Sequence, residues 1–294
     1  MTIDEERASA ARELSWLLTT LTSTLISVRT GLTECLDLLS PANTSTLPFS
    51  TPRSEVLKGF ITRSGPQITR GELSLHLQRQ RGKLSVRAPW VLEQLVDVEN
   101  YVLRSLELVA NGAFREGEEE KDPKSTMQLL QALQENVSAA RAALRAASAH
   151  RLFPFHAVDP KVFEPPLVPG AAAFSLHIAE ASLVVEVRTL EPVAPADNGR
   201  GNFLAGIDIS PFGFRERFAA AVGIHHGPAS RAHASGEEEV VSFNGTKVRV
   251  KEVVRVESQD PSLMAAWAKL GGLEHVLAGS IDGNTEISFV MSSL

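Results

Sequence analysis

The chain has 294 residues, of which 43% are hydrophobic and 22% are charged, and this is the composition of an ordinary globular protein. At roughly 150 residues per domain, this length predicts about two domains. The 35 Asp and Glu residues outnumber the 29 Lys and Arg residues, and the net charge of −6 argues against nucleic acid as a partner, because such binding needs clustered basic side chains.

The N-terminus and the hydropathy of the chain predict a cytoplasmic protein. The first six residues end in Asp4-Glu5-Glu6, whereas signal and transit peptides begin with basic residues. The nearly uncharged stretch Leu14–Val28 is too short and too rich in Thr and Ser to span a bilayer, so we expect no direct membrane insertion. Cys35 is the only cysteine, which excludes an internal disulfide and a cysteine-rich zinc site.

Apolar residues at alternating steps of four and three predict a long helix from about Asp4 to Leu39. The residues beside this seam are mostly small or apolar, whereas a dimeric zipper would place charges there. A stripe this wide needs more than one neighbour, so the pattern favours a multi-helix bundle over a two-stranded zipper. The seam consists of Leu14, Leu18, Leu21, Leu25, Val28, Leu32, Cys35 and Leu39.

Residues 41–150 are predicted to contain a loop, two short strands and two further helices. Residues 41–53 are rich in Pro, Ser and Thr, which is typical of a loop. In the second strand leucines alternate with polar residues, which is the period of a half-buried strand. The strands are Val56–Ile61 and Leu73–Gln78; the helices run from Pro89 to about Ala110 and from Asp122 to about His150, joined by a charged linker at Glu116–Asp122.

The second half of the chain is predicted to hold two hairpins and a last helix. The proline density of residues 152–170 excludes a long helix there. A hairpin at Phe174–Leu190 turns at Glu180-Ala181, and a second at Val240–Glu257 turns at Asn244-Gly245, the type I′ signature. Asp260-Pro261 begins a helix that runs to about Ile281, weakened by Gly271-Gly272. Residues 194–239 are predicted to form a long flexible or functional loop.

The order of these elements predicts an α+β protein. Four amphipathic helices can bury their seams by packing together, so we predict a discontinuous antiparallel four-helix bundle joined to a mainly antiparallel β domain. The predicted domains are a helical bundle at residues 4–40, 89–151 and 260–282, and a β domain at residues 47–84 and 152–258 that includes the loop at 194–239.

The residues with reactive or metal-ligating side chains do not form a recognisable functional site in the sequence. Cys35 lies on the helical seam and is interpreted as a core residue. Asp97 and Glu99 are two apart on a helix, so they point to different faces and do not form an acid–base pair. The histidines His225, His226 and His233 lack cysteine or carboxylate partners and are interpreted as solvated. We therefore predict no catalytic, cofactor-binding or metal-binding residue and no cofactor. The tryptophans Trp16, Trp90 and Trp267 are interpreted as structural, with Trp16 as the candidate anchor for a partner.

Four stretches of the chain resemble the Rogdi family. The first is Glu-Leu-Ser-Trp-Leu-Leu at residues 13–18, and the second is Val91–Leu108 in the second helix. The third is Val-Phe-Glu-Pro-Pro-Leu at residues 162–167 with the hairpin that follows. The fourth is Val-Ser-Phe-Asn-Gly at residues 241–245 with the strand and helix that continue to Ile281.

This resemblance implies a function that composition and periodicity do not. Rogdi proteins correspond to the small subunit of the RAVE complex, which regulates the vacuolar and endosomal proton-pumping ATPase. The resemblance implies a non-catalytic, cytoplasmic role at vacuolar or endosomal membranes through partners. Those partners are a WD-repeat scaffold, the peripheral sector of the pump and a Skp-type adaptor. The alternatives are a self-associating helical adaptor in membrane traffic, which would pair through the Leu14–Leu39 seam, and an enzyme with a site in residues 194–239.

Overall fold

A computed structural model of the protein describes residues 3–52, 55–78, 80–113, 123–168, 170–193 and 240–292. Within these ranges the chain forms four α-helices and ten strands. In order they are α1 (Ile3–Leu39), β1 (Thr44–Ser50), β2 (Leu57–Ser64), β3 (Gln67–His76), β4 (Arg81–Val86), β5 (Trp90–Val91), α2 (Glu93–Ala113), α3 (Pro123–Arg145), β6 (Phe163–Glu164), β7 (Ala172–Ala179), β8 (Ser182–Pro192), β9 (Val240–Phe243), β10 (Thr246–Gln259) and α4 (Pro261–Ser292).

The first helix confirms the prediction from the apolar seam. All seam residues from Leu21 to Leu39 are at most 6% exposed. Helix α1 packs against both α2 and α4. At Gly31 the approach to α4 is so close that an added Cβ would lie 2.8 Å from Leu273 Cδ2. Leu14 and Leu18 lie outside the residues whose side chains the structure describes.

The first sheet is antiparallel, with the order β1-β2-β3-β4-β6 and with β5 paired to β3. Its edge strand β1 corrects the prediction of a loop at residues 41–53. Leu47 and Phe49 are buried on one face of β1, and Leu47 pairs with Ile61 of β2. Pro48 is tolerated because a proline that lacks an N–H can occupy an edge strand.

The ends of α2 and α3 differ from those predicted. Helix α2 begins at Glu93 instead of near Pro89, because Trp90 pairs with Ile68 of β3 and extends the first sheet. Helix α3 ends at Arg145 instead of near residue 150. The backbone N–H groups of Glu180 and Ala181, in the β7–β8 turn, donate to the last carbonyls of α3 at 2.9 Å and so satisfy its C-terminus.

The second sheet is antiparallel, with the order β7-β8-β10-β9, and it confirms both predicted hairpins. Asn244 and Gly245 have φ angles of 49° and 76°, as a type I′ turn requires. Glu180 and Ala181 have φ angles of 48° and 57°, although neither is a residue that favours this region. The predicted loop at residues 194–239 and the linker at 116–122 lie outside the described residues.

The α+β class is correct, but the prediction of a four-helix bundle is wrong. Strands β1–β5 separate α1 from α2 in the chain, and strands β6–β10 separate α3 from α4. One hydrophobic core contains residues of the helices and of both sheets, such as Leu32, Ile61 and Val185. The helices therefore bury their apolar faces against strands as well as against one another. The division into a helical and a β domain stays a prediction.

A fully buried ion pair fixes the start of α4 to the first sheet. Arg63 Nε of β2 donates to Asp260 Oδ2 at 2.6 Å, and neither side chain is exposed. Asp260 Oδ1 accepts the backbone N–H groups of Ser262 and Leu263 at 3.0 and 3.3 Å, and the Ser45 hydroxyl at 3.2 Å. Asp260 is thus the N-cap that the Asp-Pro sequence predicts, and it is also the counter-ion of a buried guanidinium.

Candidate functional site

A cleft of about 210 Å³ lies where the start of α2 meets strand β7. Trp90 and Val91 of β5 line it, together with residues 156–159 of the segment that joins α3 to β6. The first residues of α2 also line it, as do Arg151 and Val162, and Leu176 and His177 of β7. The cleft therefore brings together three segments of the chain, within residues 90–94, 151–162 and 176–177, and it is the candidate functional site.

Strand β7 borders the cleft because it is the edge of the second sheet and pairs only with β8. Its two-residue turn pairs Ala179 with Ser182, so every second residue from Ile178 backwards directs its N–H and C=O away from β8. An edge of this kind carries a row of backbone donors and acceptors that need partners.

Two groups of the chain itself already satisfy parts of this edge. The carboxamide of Gln94 accepts the Ile178 N–H at 2.8 Å and donates to the Ile178 carbonyl at 3.1 Å. The same amide nitrogen donates to the Ala143 carbonyl at 3.1 Å and so joins α2 to α3. Further along the edge, the Val158 N–H donates to the Phe174 carbonyl at 2.8 Å. Leu176, between these two positions, has no such partner among the described residues.

Aromatic contacts hold Trp90 in the wall of the cleft. Its ring meets Phe163 edge-on at 5.8 Å between centroids, and Phe163 in turn meets Phe174 of β7 at 4.8 Å. Trp90 Nε1 is buried and has no hydrogen-bond partner among the described residues. A buried indole N–H normally finds an acceptor, so Trp90 in the wall of the cleft carries an unused donor.

The charged groups at the cleft are mostly acidic. Arg151 Nη1 donates to Asp97, and Arg151 Nε lies 3.1 Å from a carboxylate oxygen of Glu93. The hydrogen bond to Asp97 raises the pKa of Arg151, so the guanidinium stays charged. Asp159 adds a further exposed carboxylate. Among the residues that line the cleft, the carboxylates of Glu93 and Asp159 outnumber the guanidinium of Arg151.

His177 is the buried titratable group of the cleft, with 7% of the residue exposed. Burial, together with the positive charges of Arg255 and Arg188, lowers the pKa of His177 to about 4. The imidazole is therefore neutral at neutral pH. Its Nδ1 is buried and has no hydrogen-bond partner among the described residues.

The residues singled out in the sequence do not meet in a site. Cys35 is fully buried, and burial raises the pKa of its thiol to about 11, which keeps it protonated. Asp97 binds Arg151, whereas Glu99 lies towards Arg63; burial raises the pKa of Glu99, and the guanidinium opposes this in part. Trp267 packs under the guanidinium of Arg141 at 5.4 Å. The side chain of Trp16 and the histidines 225, 226 and 233 lie outside the described residues.

Sequence reasoning did not find the cleft, although two signals of it were present. Trp90 was assigned a structural role at a helix start, and His177 occupies a buried position in an otherwise apolar strand. Gln94 and Arg151 gave no signal, because isolated polar residues near helix ends are common on protein surfaces.

Two further properties of the described residues bear on function. Among the residues that the structure describes, no three His, Cys, Asp or Glu side chains lie close enough together to hold a metal ion. In the same part of the chain, no helix is both long enough and apolar enough to cross a membrane.

The chain matches the model of a known protein family. The family model described as Rogdi leucine zipper containing protein matches residues 13–283. No curated protein matches the chain. The matched range includes all ten strands, helices α2 and α3, and most of α1 and α4.

Proposed function

Because the chain belongs to the Rogdi leucine zipper family, we propose that it is a non-catalytic interaction subunit of a RAVE-type complex. In this role it binds a WD-repeat scaffold and subunits of the vacuolar proton-pumping ATPase, and it promotes assembly of the pump. The family match over residues 13–283 is the observation that carries the proposal. The family is not a known family of enzymes.

The proposal places the protein in the cytoplasm, associated with vacuolar or endosomal membranes through its partners. The peripheral sector of the pump and a Skp-type adaptor are the further partners that it includes. The described surface supports a binding role, since it combines a sheet edge with unused hydrogen-bonding groups and a cleft with an aromatic wall.

Affinity capture and pump assembly test the proposal together. The tagged full chain is expressed in cells that lack the endogenous protein, and the captured proteins are identified by mass spectrometry. We expect the WD-repeat scaffold and peripheral pump subunits to be recovered, and the fraction of peripheral sector on membranes to rise on expression. A folded protein that recovers neither the scaffold nor pump subunits contradicts the proposal.

The alternative of a self-associating adaptor requires the Leu14–Leu39 seam to be free for a second chain. The described part of that seam, from Leu21 to Leu39, is instead buried within one molecule against α2, α4 and the sheets. This part of the apolar stripe is therefore not free to pair with a second chain. We therefore favour the subunit role over the adaptor role.

A further inference from the structure

The free edge of β7 has one vacant position between two occupied ones. The hairpin register directs the N–H and C=O of Leu176 away from β8, as it does those of Phe174 and Ile178. At Phe174 the carbonyl accepts the Val158 N–H, and at Ile178 both groups bind the Gln94 carboxamide. In the described chain nothing binds the N–H or C=O of Leu176, which lines the cleft.

The group that fits the vacant position is another amide. The Gln94 carboxamide bonds to the N–H and the C=O of a single edge residue, as the backbone of an added strand would do. Two residues away, Leu176 offers the same donor and acceptor pair. The unused Trp90 Nε1 supplies an additional donor for a second carbonyl of the same ligand.

The charges and buried groups at the cleft indicate what else the ligand carries. Glu93 and Asp159 line the cleft, and Asp97 lies behind Arg151, so a positive charge is attracted there. The Glu93 side chain is 64% exposed and is available to a ligand. His177, which is more than nine-tenths buried, adds an unpaired Nδ1 at the cleft.

We infer that this cleft binds an extended segment of a partner protein that pairs through its backbone with Leu176 of β7 and places a basic side chain near Glu93 and Asp159. The inference deepens the proposed function, and it rests on it for the existence of a partner. Val158 and Gln94 occupy the neighbouring positions, so the segment pairs through one residue and gains the rest of its affinity from the walls of the cleft.

Defined peptides test this inference without knowledge of the partner. The probes are N-acetylated, C-amidated octapeptides of Val, Thr and Ile in which one central residue is Lys, Ala or Glu, and binding to the full chain is measured by calorimetry. We expect the Lys peptides to bind most tightly and the Glu peptides least. Methylation of alternate backbone nitrogens separates strand pairing from side-chain contact. In an extended peptide, alternate N–H groups point to opposite edges, so only one of the two methylation patterns blocks the N–H that pairs with β7 and abolishes binding.

Two variants and a matched control locate the binding site. Trp90→Phe keeps an aromatic ring but removes the indole N–H, and we expect binding to weaken roughly fivefold. Glu93→Gln removes one carboxylate, and we expect the preference for Lys over Glu peptides to fall roughly threefold. Trp267→Phe is the control, since Trp267 Nε1 is also buried without a described partner but lies on α4 away from the cleft. Binding by this variant stays at the wild-type value.

The outcomes distinguish this inference from the proposed function. If wild-type protein captures the scaffold but binds no peptide, or if Trp90→Phe and Trp267→Phe weaken peptide binding equally, the inference is overturned and the proposed function stands. If the peptides bind with the expected dependence on Trp90 but no scaffold is captured, the inference stands and the proposed function fails. Slower hydrogen exchange at the Leu176 N–H on peptide addition supports the inference independently, and unchanged exchange opposes it.

Discussion

Arg63 and Asp260 show how a single pair of residues joins two elements that are distant in sequence, strand β2 and helix α4. Both are fully buried, and Asp260 uses its second oxygen to cap α4. A buried ion pair adds little net stability over an apolar pair, but removal of one partner leaves an unpaired buried charge. The pair is therefore expected to be sensitive to single substitutions.

Asp260→Ala is expected to lower the free energy of unfolding by about 3–5 kcal/mol, because it strands the Arg63 guanidinium and removes a helix cap. The double variant Arg63→Met, Asp260→Asn removes the unpaired charge and keeps a capping side chain. Its free energy of unfolding is therefore expected to fall less than that of Asp260→Ala. Denaturant unfolding measures both. If Asp260→Ala is within 1 kcal/mol of wild type, the pair does not have this role.

His177 is expected to make stability depend on pH. Its folded pKa is about 4 and its unfolded pKa is near 6.5, so the unfolded state binds more protons between these values. The contribution of His177 to the free energy of unfolding is therefore fully present above pH 6.5. It is lost as the pH drops towards 4, and the loss is about 2 kcal/mol at pH 5. His177→Gln should flatten this part of the curve. An unchanged curve in His177→Gln would assign the effect to other groups.

Glu180 is held at a positive φ that disfavours residues with a side chain, and its side chain is exposed. Glu180→Gly is therefore expected to raise the free energy of unfolding by about 1 kcal/mol. Glu257→Gly is the control, because this exposed residue lies in extended strand β10, where glycine destabilises by about 0.5–1 kcal/mol. The midpoint temperature of thermal unfolding should therefore rise in Glu180→Gly and fall in Glu257→Gly.

At the scale of elements, Gln94 joins three of them. Its carboxamide bonds to the edge of β7 and to the last turn of α3, while its backbone lies in the first turn of α2. An amide is needed because the site contains two carbonyl acceptors and one N–H donor. Gln94 therefore determines how the helices meet the second sheet.

Gln94→Glu tests this role, because it replaces the donor nitrogen with an oxygen that faces the Ala143 and Ile178 carbonyls. A carboxylate in the first turn of a helix is otherwise mildly favourable, so a loss of about 2 kcal/mol or more would come from these carbonyls. Gln128→Glu on the exposed face of α3 is the control and should change stability by less than about 0.5 kcal/mol. Equal effects would contradict the role.

The sequence predicted those elements whose signals are local. The Asn244-Gly245 turn and the Asp260 cap each depend on a few adjacent residues, and both are confirmed. Strand β1 was missed because Pro48 lies within it and because a segment rich in Pro, Ser and Thr is typical of a loop; pairing with β2 overrides this signal. The cleft was missed because Trp90, Gln94 and His177 meet only through tertiary contacts.

At the scale of the whole molecule, the leucine seam of α1 is part of the internal core. Periodicity correctly identified its buried face, from Leu21 to Leu39, but it does not specify whether helices or strands cover that face. This is why a four-helix bundle was predicted where the structure has a main core shared by helices and two sheets.

Leu32→Ala distinguishes an internal seam from an intermolecular zipper. Leu32 is fully buried, so we expect a loss of about 2–5 kcal/mol and an unfolding midpoint that does not depend on protein concentration. A midpoint that rises with protein concentration, in the wild type or the variant, would instead indicate a zipper between chains. Light scattering across the same concentrations gives the oligomeric state directly.

The packing of α1 against α4 has a consequence for truncated gene products. A stop codon at any position from 64 to 260 deletes both α4, which packs against α1, and the Asp260 carboxylate that neutralises Arg63. The remaining polypeptide would expose leucines and a stranded cation to the quality-control machinery. Alleles with a late stop codon are therefore expected to yield as little protein as alleles with an early one. Immunoblots that compare protein levels from the two kinds of allele measure this.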